Sequence, residues 1–143
     1  MTETGSRVLG IDPGEKRIGT AISDPTGTIA NPLTVFESTS RDQTAEMIIN
    51  LAEKHGAARI VIGLALDWDG NVSYQGRKAR RLAGAVRSRT EIPVVLWNEY
   101  GSTRKARGAR IEMGVSRDKR RGHLDELAAT VILQAYLDAQ DSP

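Results

Sequence analysis

Short apolar runs and helix-spaced apolar positions alternate along this chain, and their order predicts an α/β fold. Val8, Leu9 and Ile11 form a run closed by Pro13-Gly14, the pattern of a buried strand that ends by presenting Asp12. Ile18 to Ile22 is short and partly β-branched and lies only a few residues further on, so a hairpin is the simplest connection. Thr28 to Phe36, with Pro32 in its middle, reads as a third strand at a sheet edge or bent at the proline. Ser40 and Gln43 then have capping-box spacing, and Ala45, Ile48, Leu51 and Ala52 recur at helical period up to a C-capping Gly56. His55, in the last turn, reads as a surface residue favourable to the helix dipole.

Arg59 to Leu66 is almost continuously apolar, as in a strand covered on both faces. The turn that follows carries Asp67, Trp68 and Asp69. The two acids lack the downstream ligands of a calcium loop and read as turn residues, while Trp68 is placed either to stack on a base or to cover the core. A second helix is predicted from about Ser73 to Arg89, with Ala79, Leu82, Ala83 and Val86 on one face and a strongly basic remainder. The strand Ile92 to Trp97 ends at Asn98-Glu99, again an apolar run delivering an acid at its C-terminal end, where open α/β sheets place their sites. A third helix starts at Ser102 or Thr103 and ends at Gly114, followed by a basic, glycine-containing loop. The last helix, about His123 to Ala139, sets Asp125 near its start on a stripe shared with Ala128, Ala129 and Ile132.

At 143 residues the chain is expected to be one domain, 1–143, with flexible ends at 1–6 and 140–143. There are no cysteines, which excludes disulfides, thiolate metal sites and a cysteine nucleophile. No apolar leader or membrane-length segment is present, so a cytoplasmic protein without a membrane partner is expected. Charge changes this picture more than composition does. Between Arg77 and Arg121 there are 14 Lys and Arg against four acids, a balance of +10, and the remainder carries −8. Such segregation suits a polyanion-binding surface, although solvated helix faces are also often basic.

Three carboxylates, Asp12, Glu99 and Asp125, come from two strand ends and one helix start. Converging there, they would suit Mg²⁺ or Mn²⁺, hard ions that prefer oxygen ligands. Two such ions about 3.5–4 Å apart activate a water and stabilise the leaving oxygen of a phosphodiester cleavage. His123, two residues before Asp125, reads either as a proton shuttle beside the metals or as a solvated helix-start residue.

Four segments carry a family resemblance: G-I-D-P-G-E-K-R-I-G at Gly10–Gly19, I-V-I-G-L-A-L-D-W-D-G at Ile60–Gly70, P-V-V-L-W-N-E at Pro93–Glu99, and K-R-R-G-H-L-D-E-L-A-A at Lys119–Ala129. In these the chain resembles, over nearly its whole length, the YqgF/RuvX family of pre-16S rRNA nucleases and Holliday-junction-resolvase-like proteins. The resemblance implies a ribonuclease H-like fold, a five-stranded mixed sheet with helices on both faces and its second strand antiparallel. It also implies a catalytic metal site made by Asp12, Glu99 and Asp125. Lys16, Arg17, Arg77, Arg81, Arg104, Lys119, Arg120 and Arg121 are the expected phosphate-binding residues.

Two departures from the family pattern stand out. Asn98-Glu99-Tyr100-Gly101-Ser102-Thr103 replaces the usual Asp-Glu-Arg-Leu-Thr-Thr, and Ala65 and Asp67 replace the usual Pro and Asn of the loop after the fourth strand. The functional expectation is a metal-dependent nuclease processing the 5′ end of pre-16S rRNA, on free RNA or on ribosomal particles. The alternatives are resolution of branched DNA and a non-catalytic RNA-binding assembly factor. The Asp12–Gly19 segment also resembles the phosphate-binding hairpin of actin- and sugar-kinase-like ATPases, but no second lobe or adenosine motif follows it. Branched DNA would require a dimer, and with no heptad or exposed apolar stripe the expected state is a monomer or weak homodimer.

Overall fold

The computed structural model describes residues 7–64, 74–98 and 121–141. Five strands, β1 (Arg7–Pro13), β2 (Arg17–Ser23), β3 (Ala30–Glu37), β4 (Ala57–Leu64) and β5 (Val94–Asn98), form one sheet in the order β3-β2-β1-β4-β5. The β1–β2 and β2–β3 pairs are antiparallel, and the β1–β4 and β4–β5 pairs are parallel. Three helices accompany them: α1 (Arg41–Lys54), α2 (Tyr74–Arg87) and α3 (Arg121–Asp141). Element order and the mixed sheet with an antiparallel second strand match the sequence expectation. The predicted helix from Ser102 to Gly114, the Asp67–Asp69 turn with Trp68, and the basic loop lie outside the described residues.

Strand alternation divides the core into two layers. Leu9, Ile11, Ile18, Ile60 and Ile62 face α1 and α2, where they meet Ala45, Ile48, Ala52, Ala79, Leu82, Ala83 and Val86. Val8, Ala21, Ala30 and Val61 face the opposite way, against Ala129, Leu133, Tyr136 and Leu137 of α3. Leu9, Ile11, Ile60 and Ile62 have no exposed surface, and burying each contributes about 1.5–3 kcal/mol.

Local chemistry sets the element ends. Ser40 Oγ accepts the N–H of Gln43 at 3.1 Å, which starts α1 where the capping pattern places it. Gly56, at φ 66°, stops that helix one residue beyond its cap at His55. The chain turns directly into β4, two residues earlier than the apolar run alone indicates. Pro32 sits on the edge strand, as expected, and the β2–β3 register shifts there. Thr20 repairs the ladder at the shift: its hydroxyl donates to Thr34 O at 2.7 Å and accepts from Thr34 N at 3.0 Å.

The β2–β3 connection is organised by Asp24, whose carboxylate accepts N–H groups of Ile29 and Thr28 and the hydroxyl and N–H of Thr26. These donors, Ile29 first, hold the carboxyl below the ordinary aspartate range. Gln134 of α3 clamps the same connection, accepting from Ala30 N at 2.9 Å and donating to Thr28 O at 3.0 Å. Helix α3 continues through Asp141, and Gln140 Nε2 donates to Tyr136 O in its last turn. Among the described residues no helix is long and apolar enough to cross a membrane.

Candidate active site

The parallel strands β1, β4 and β5 end at one edge of the sheet, and register aligns those ends. Ile11 is level with Ile62, and Ile62 with Leu96, so Asp12, Gly63 and Trp97 occupy the next row. Two interstrand spacings, about 10 Å, separate Asp12 from Trp97 along that row. Residues 12, 63 and 97 share the α3 face with Val8, Gly10 and Val61. Asp12 is half-buried and pairs with Gly19 of β2.

The turn beyond Asp12 is unusually tight. Gly14 N donates to Asp12 O at 2.9 Å, and a Cβ built at Gly14 would lie 2.5 Å from the Arg17 carbonyl oxygen. Only glycine fits there, which is why Pro13-Gly14 follows the acid directly. Lys16 is exposed in the same turn, and its carbonyl accepts Ser38 N at 2.8 Å, tying the approach to α1 against the hairpin.

Helix α3 lies close across β1. A Cβ at Gly10 would be 2.8 Å from Leu133 Cβ, a separation no packed side chain could tolerate unmoved. Gln134 binds at Ala30, beside the beginning of β1, and Leu133 sits over Gly10 further along. Reading α3 backward from Leu133 therefore advances toward the strand end that carries Asp12. Asp125 is eight residues earlier, about 12 Å along the helix axis. A second contact ties α3 to the end of β5: the Tyr136 ring meets Trp97 edge-on at 5.3 Å and 89°, and Arg59 Nη1 donates to the Tyr136 hydroxyl at 2.6 Å.

Of the expected metal ligands, Asp12 has a described side chain, Glu99 lies outside the described residues, and Asp125 is described as part of α3 without its side chain. Asn98, the residue before Glu99, is the last residue of β5 and is level with Leu64. The donor chemistry fits a hard divalent cation, because the one expected ligand whose side chain is described, Asp12, is a carboxylate at a strand end bounded by a turn that only glycine completes. Among the described residues no group of three or more acids and histidines forms a metal cluster.

The expected phosphate-binding residues divide similarly. Lys16 is exposed at the hairpin turn, and Arg17 opens β2 opposite Glu37. Arg77 and Arg81 are exposed on α2, on the sheet face opposite α3. Arg104, Lys119 and Arg120 lie outside the described residues, and Arg121 begins α3 with its side chain not described. Sequence reading did not single out Arg41, Thr44 or Lys78, which the structure gathers beside the hairpin turn. Arg41 at the first position of α1 carried a signal, since it follows the Ser40 cap. Thr44 carried none.

Comparison with known proteins places this geometry. A family model described as "RuvX: Holliday junction resolvase" matches residues 6–139. The chain is 40% identical over 135 residues to the "Putative pre-16S rRNA nuclease" of Caldanaerobacter subterraneus subsp. tengcongensis, spanning 94% of this chain and 97% of that one. Identity to the protein of the same name from Thermoanaerobacter pseudethanolicus is 38%, with the same coverage. Among solved structures, T. thermophilus RuvC in complex with a Holliday junction substrate superposes with TM-score 0.57 at 15% identity, covering 94% of this chain and 96% of that chain. The fowlpox virus resolvase in its Holliday junction complex gives 0.57 at 12%, covering 95% and 99%. At these identities the structures establish the fold, which is ribonuclease H-like.

Proposed function

The chain belongs to the RuvX family, and from that premise we propose that it is a metal-dependent nuclease cutting phosphodiester bonds of structured nucleic acid, with the 5′ end of pre-16S rRNA as its substrate. The observation that carries this reading is the position of Asp12. It lies at the C-terminal end of β1, level with the end of β5 that leads to Glu99, on the sheet face crossed by the helix that contains Asp125.

In this reading Asp12, Glu99 and Asp125 hold one or two divalent ions, Mg²⁺ or Mn²⁺. Bound there, the ions would activate water and neutralise charge on the scissile phosphate. The chain's own residues do the rest. The Gly14 turn fixes the Asp12 backbone, so its carboxylate needs little reorganisation to receive a ligand. The contacts of Leu133 with Gly10 and of Tyr136 with Trp97 set α3 against β1 and β5, which fixes the relative placement of the three acid-bearing segments. Lys16 and Arg17, immediately after the turn, supply positive charge for phosphates entering beside Asp12.

RNA is favoured by the names of the relatives at 38–40% identity, and branched DNA by the family's description. The deciding assay offers purified protein, with Mn²⁺, an end-labelled pre-16S 5′ leader and a four-way DNA junction. Asp12→Asn and Asp125→Asn serve as controls. Cleavage of the leader that both substitutions abolish is the expected result. Preferential cutting of the junction would reassign the substrate. Salt-sensitive binding with no cleavage under any divalent metal would replace the nuclease reading with an assembly factor.

A further inference from the structure

We propose that a cleft between the start of α1 and the middle of α2 is a second phosphate subsite, which grips a non-scissile phosphodiester of the nucleic-acid substrate. The inference rests on the nuclease reading for its choice of ligand, and its test separates the two.

The cleft, about 150 Å³, opens beside Pro13 and Gly14 and is walled by Arg41, Thr44, Lys78 and Arg81. Among the described residues three cationic side chains line it and no carboxylate does. The nearby acids of α1 are drawn elsewhere, since Arg89 binds Asp42 at 2.9 Å and Glu46 at 3.4 Å. Arg41, Lys78 and Arg81 form no ion pair among the described residues. The cleft also borders the N-terminus of the 14-residue α1, whose first amides and dipole favour an anion.

An independent feature points to a ligand. Thr44 lines the cleft at only 3% exposure, and its hydroxyl Oγ1 has no hydrogen-bond partner among the described residues. A threonine inside a helix ordinarily turns its hydroxyl onto the carbonyl one turn back. Here Ser40 O receives Thr44 N–H, and the hydroxyl remains unused. Buried polar groups are nearly always paired, so an orphan at the wall of a cationic cleft marks a position for an acceptor such as a phosphate oxygen.

Placement selects a polynucleotide as the source of that phosphate. Asp12 and Pro13 are consecutive and their side chains project to opposite faces of the sheet. A strand crossing this edge with its scissile bond at Asp12 thus carries a neighbouring phosphate over the cleft. At the start of α2, Tyr74 is 59% exposed, with Lys78 Nζ 5.6 Å and the Arg77 guanidinium 5.9 Å from its ring centre. That aromatic face beside the cleft is suited to stacking a base of the same strand.

The test uses the full-length protein, a labelled pre-16S 5′-leader RNA and two variants, Lys78→Ala/Arg81→Ala and Thr44→Val. Affinity is measured in EDTA across a salt series, and cleavage at saturating RNA with Mn²⁺. The double variant is expected to bind about tenfold more weakly at moderate salt and to lower the log-log salt slope by about 1.4–1.8. Thermal melts with and without inorganic phosphate accompany these, and confirm that the variants fold. Unchanged affinity and salt slope would overturn the subsite. So would protection of the wild type by inorganic phosphate, lost in Thr44→Val, with RNA affinity unaffected in either variant, because the cleft would then take free phosphate. If affinity falls as expected but even the wild type never cuts, the nuclease reading fails and the subsite stands. Cutting by the wild type with unaltered affinity in the variants gives the reverse.

Discussion

Gly10→Ala is the most direct way to ask whether α3 positions the acids proposed to be catalytic. The added Cβ would meet Leu133 Cβ at 2.8 Å, with Leu133 Cγ and Cδ2 at 3.4 Å. Carbon atoms rest at about 3.5–4.0 Å, so the helix must retreat by about 1 Å. Leu133 Cβ moves only with its backbone, which means no rotamer change relieves the contact. Overpacking of this kind costs about 1–3 kcal/mol, offset by about 0.5–1 kcal/mol because alanine loses less freedom than glycine on folding. The net expectation is a loss of about 1–2 kcal/mol in urea denaturation. The effect on chemistry should be larger than the stability loss implies, since a displacement near 1 Å in catalytic geometry lowers rates about 100-fold. Single-turnover cleavage at saturating protein, under conditions where the variant is fully folded, reads that term alone. Leu133→Ala keeps the offending Cβ and therefore should not rescue the double variant. A Gly10→Ala protein with a lowered urea midpoint that cuts within twofold of the wild-type rate would refute the idea that α3 sets the site.

Gly14→Ala should lower both stability, by about 1–3 kcal/mol, and cleavage, because its Cβ would collide with the Arg17 carbonyl and open the turn behind Asp12; a wild-type cleavage rate would show that turn geometry is irrelevant. Asp24→Ala should destabilise at neutral pH. The folded-state carboxyl is depressed, so its contribution is present above the unfolded value near pH 3.9 and fades as pH falls through the lower folded value. The urea midpoints of wild type and variant should accordingly converge below about pH 4, and a constant gap down to pH 2 would contradict the assignment. Thr44→Val should raise stability in phosphate-free buffer by up to about 1 kcal/mol, or about 2–4 °C in melting temperature, by removing a buried unpaired hydroxyl. A loss of stability there would mean that the hydroxyl is satisfied in solution.

The sheet was legible because its signals are local and redundant. Val8–Ile11 and Ile60–Ile62 are apolar on both faces, which only a strand covered on both sides explains, and Pro32 can occupy only an edge or a bulge. The Ser40 cap was legible for the same reason, since capping chemistry is complete within one turn. Boundaries were less so: the junction at Gly56 turns helix into strand without a loop, and no composition change marks it. What the sequence concealed is everything that depends on approach across the fold. Gly10 reads as a weak spot in a strand until Leu133 is placed over it. Thr44 reads as one polar residue on a helix until packing buries its hydroxyl. Asp12 could be singled out because acid, proline and glycine are adjacent, whereas nothing local in the sequence sets Arg41 and Lys78 beside the same hairpin turn.

The end of β1 divides two tasks by a single peptide bond. Asp12 faces the side crossed by α3, and Pro13 faces the cationic cleft between α1 and α2. Because strand alternation sends consecutive side chains to opposite faces, a substitution on one side need not disturb the other. Binding and cutting should therefore separate cleanly: changes at Arg41, Lys78 or Arg81 act through affinity and its salt dependence, while changes at Asp12 act on the rate with substrate still held. The uneven charge of the chain follows from the same division. Two of the cations of the basic region from Arg77 to Arg121, Lys78 and Arg81, line the cleft on the sheet face away from Asp12, where under the proposed function they would hold phosphate without competing with an ion bound at Asp12.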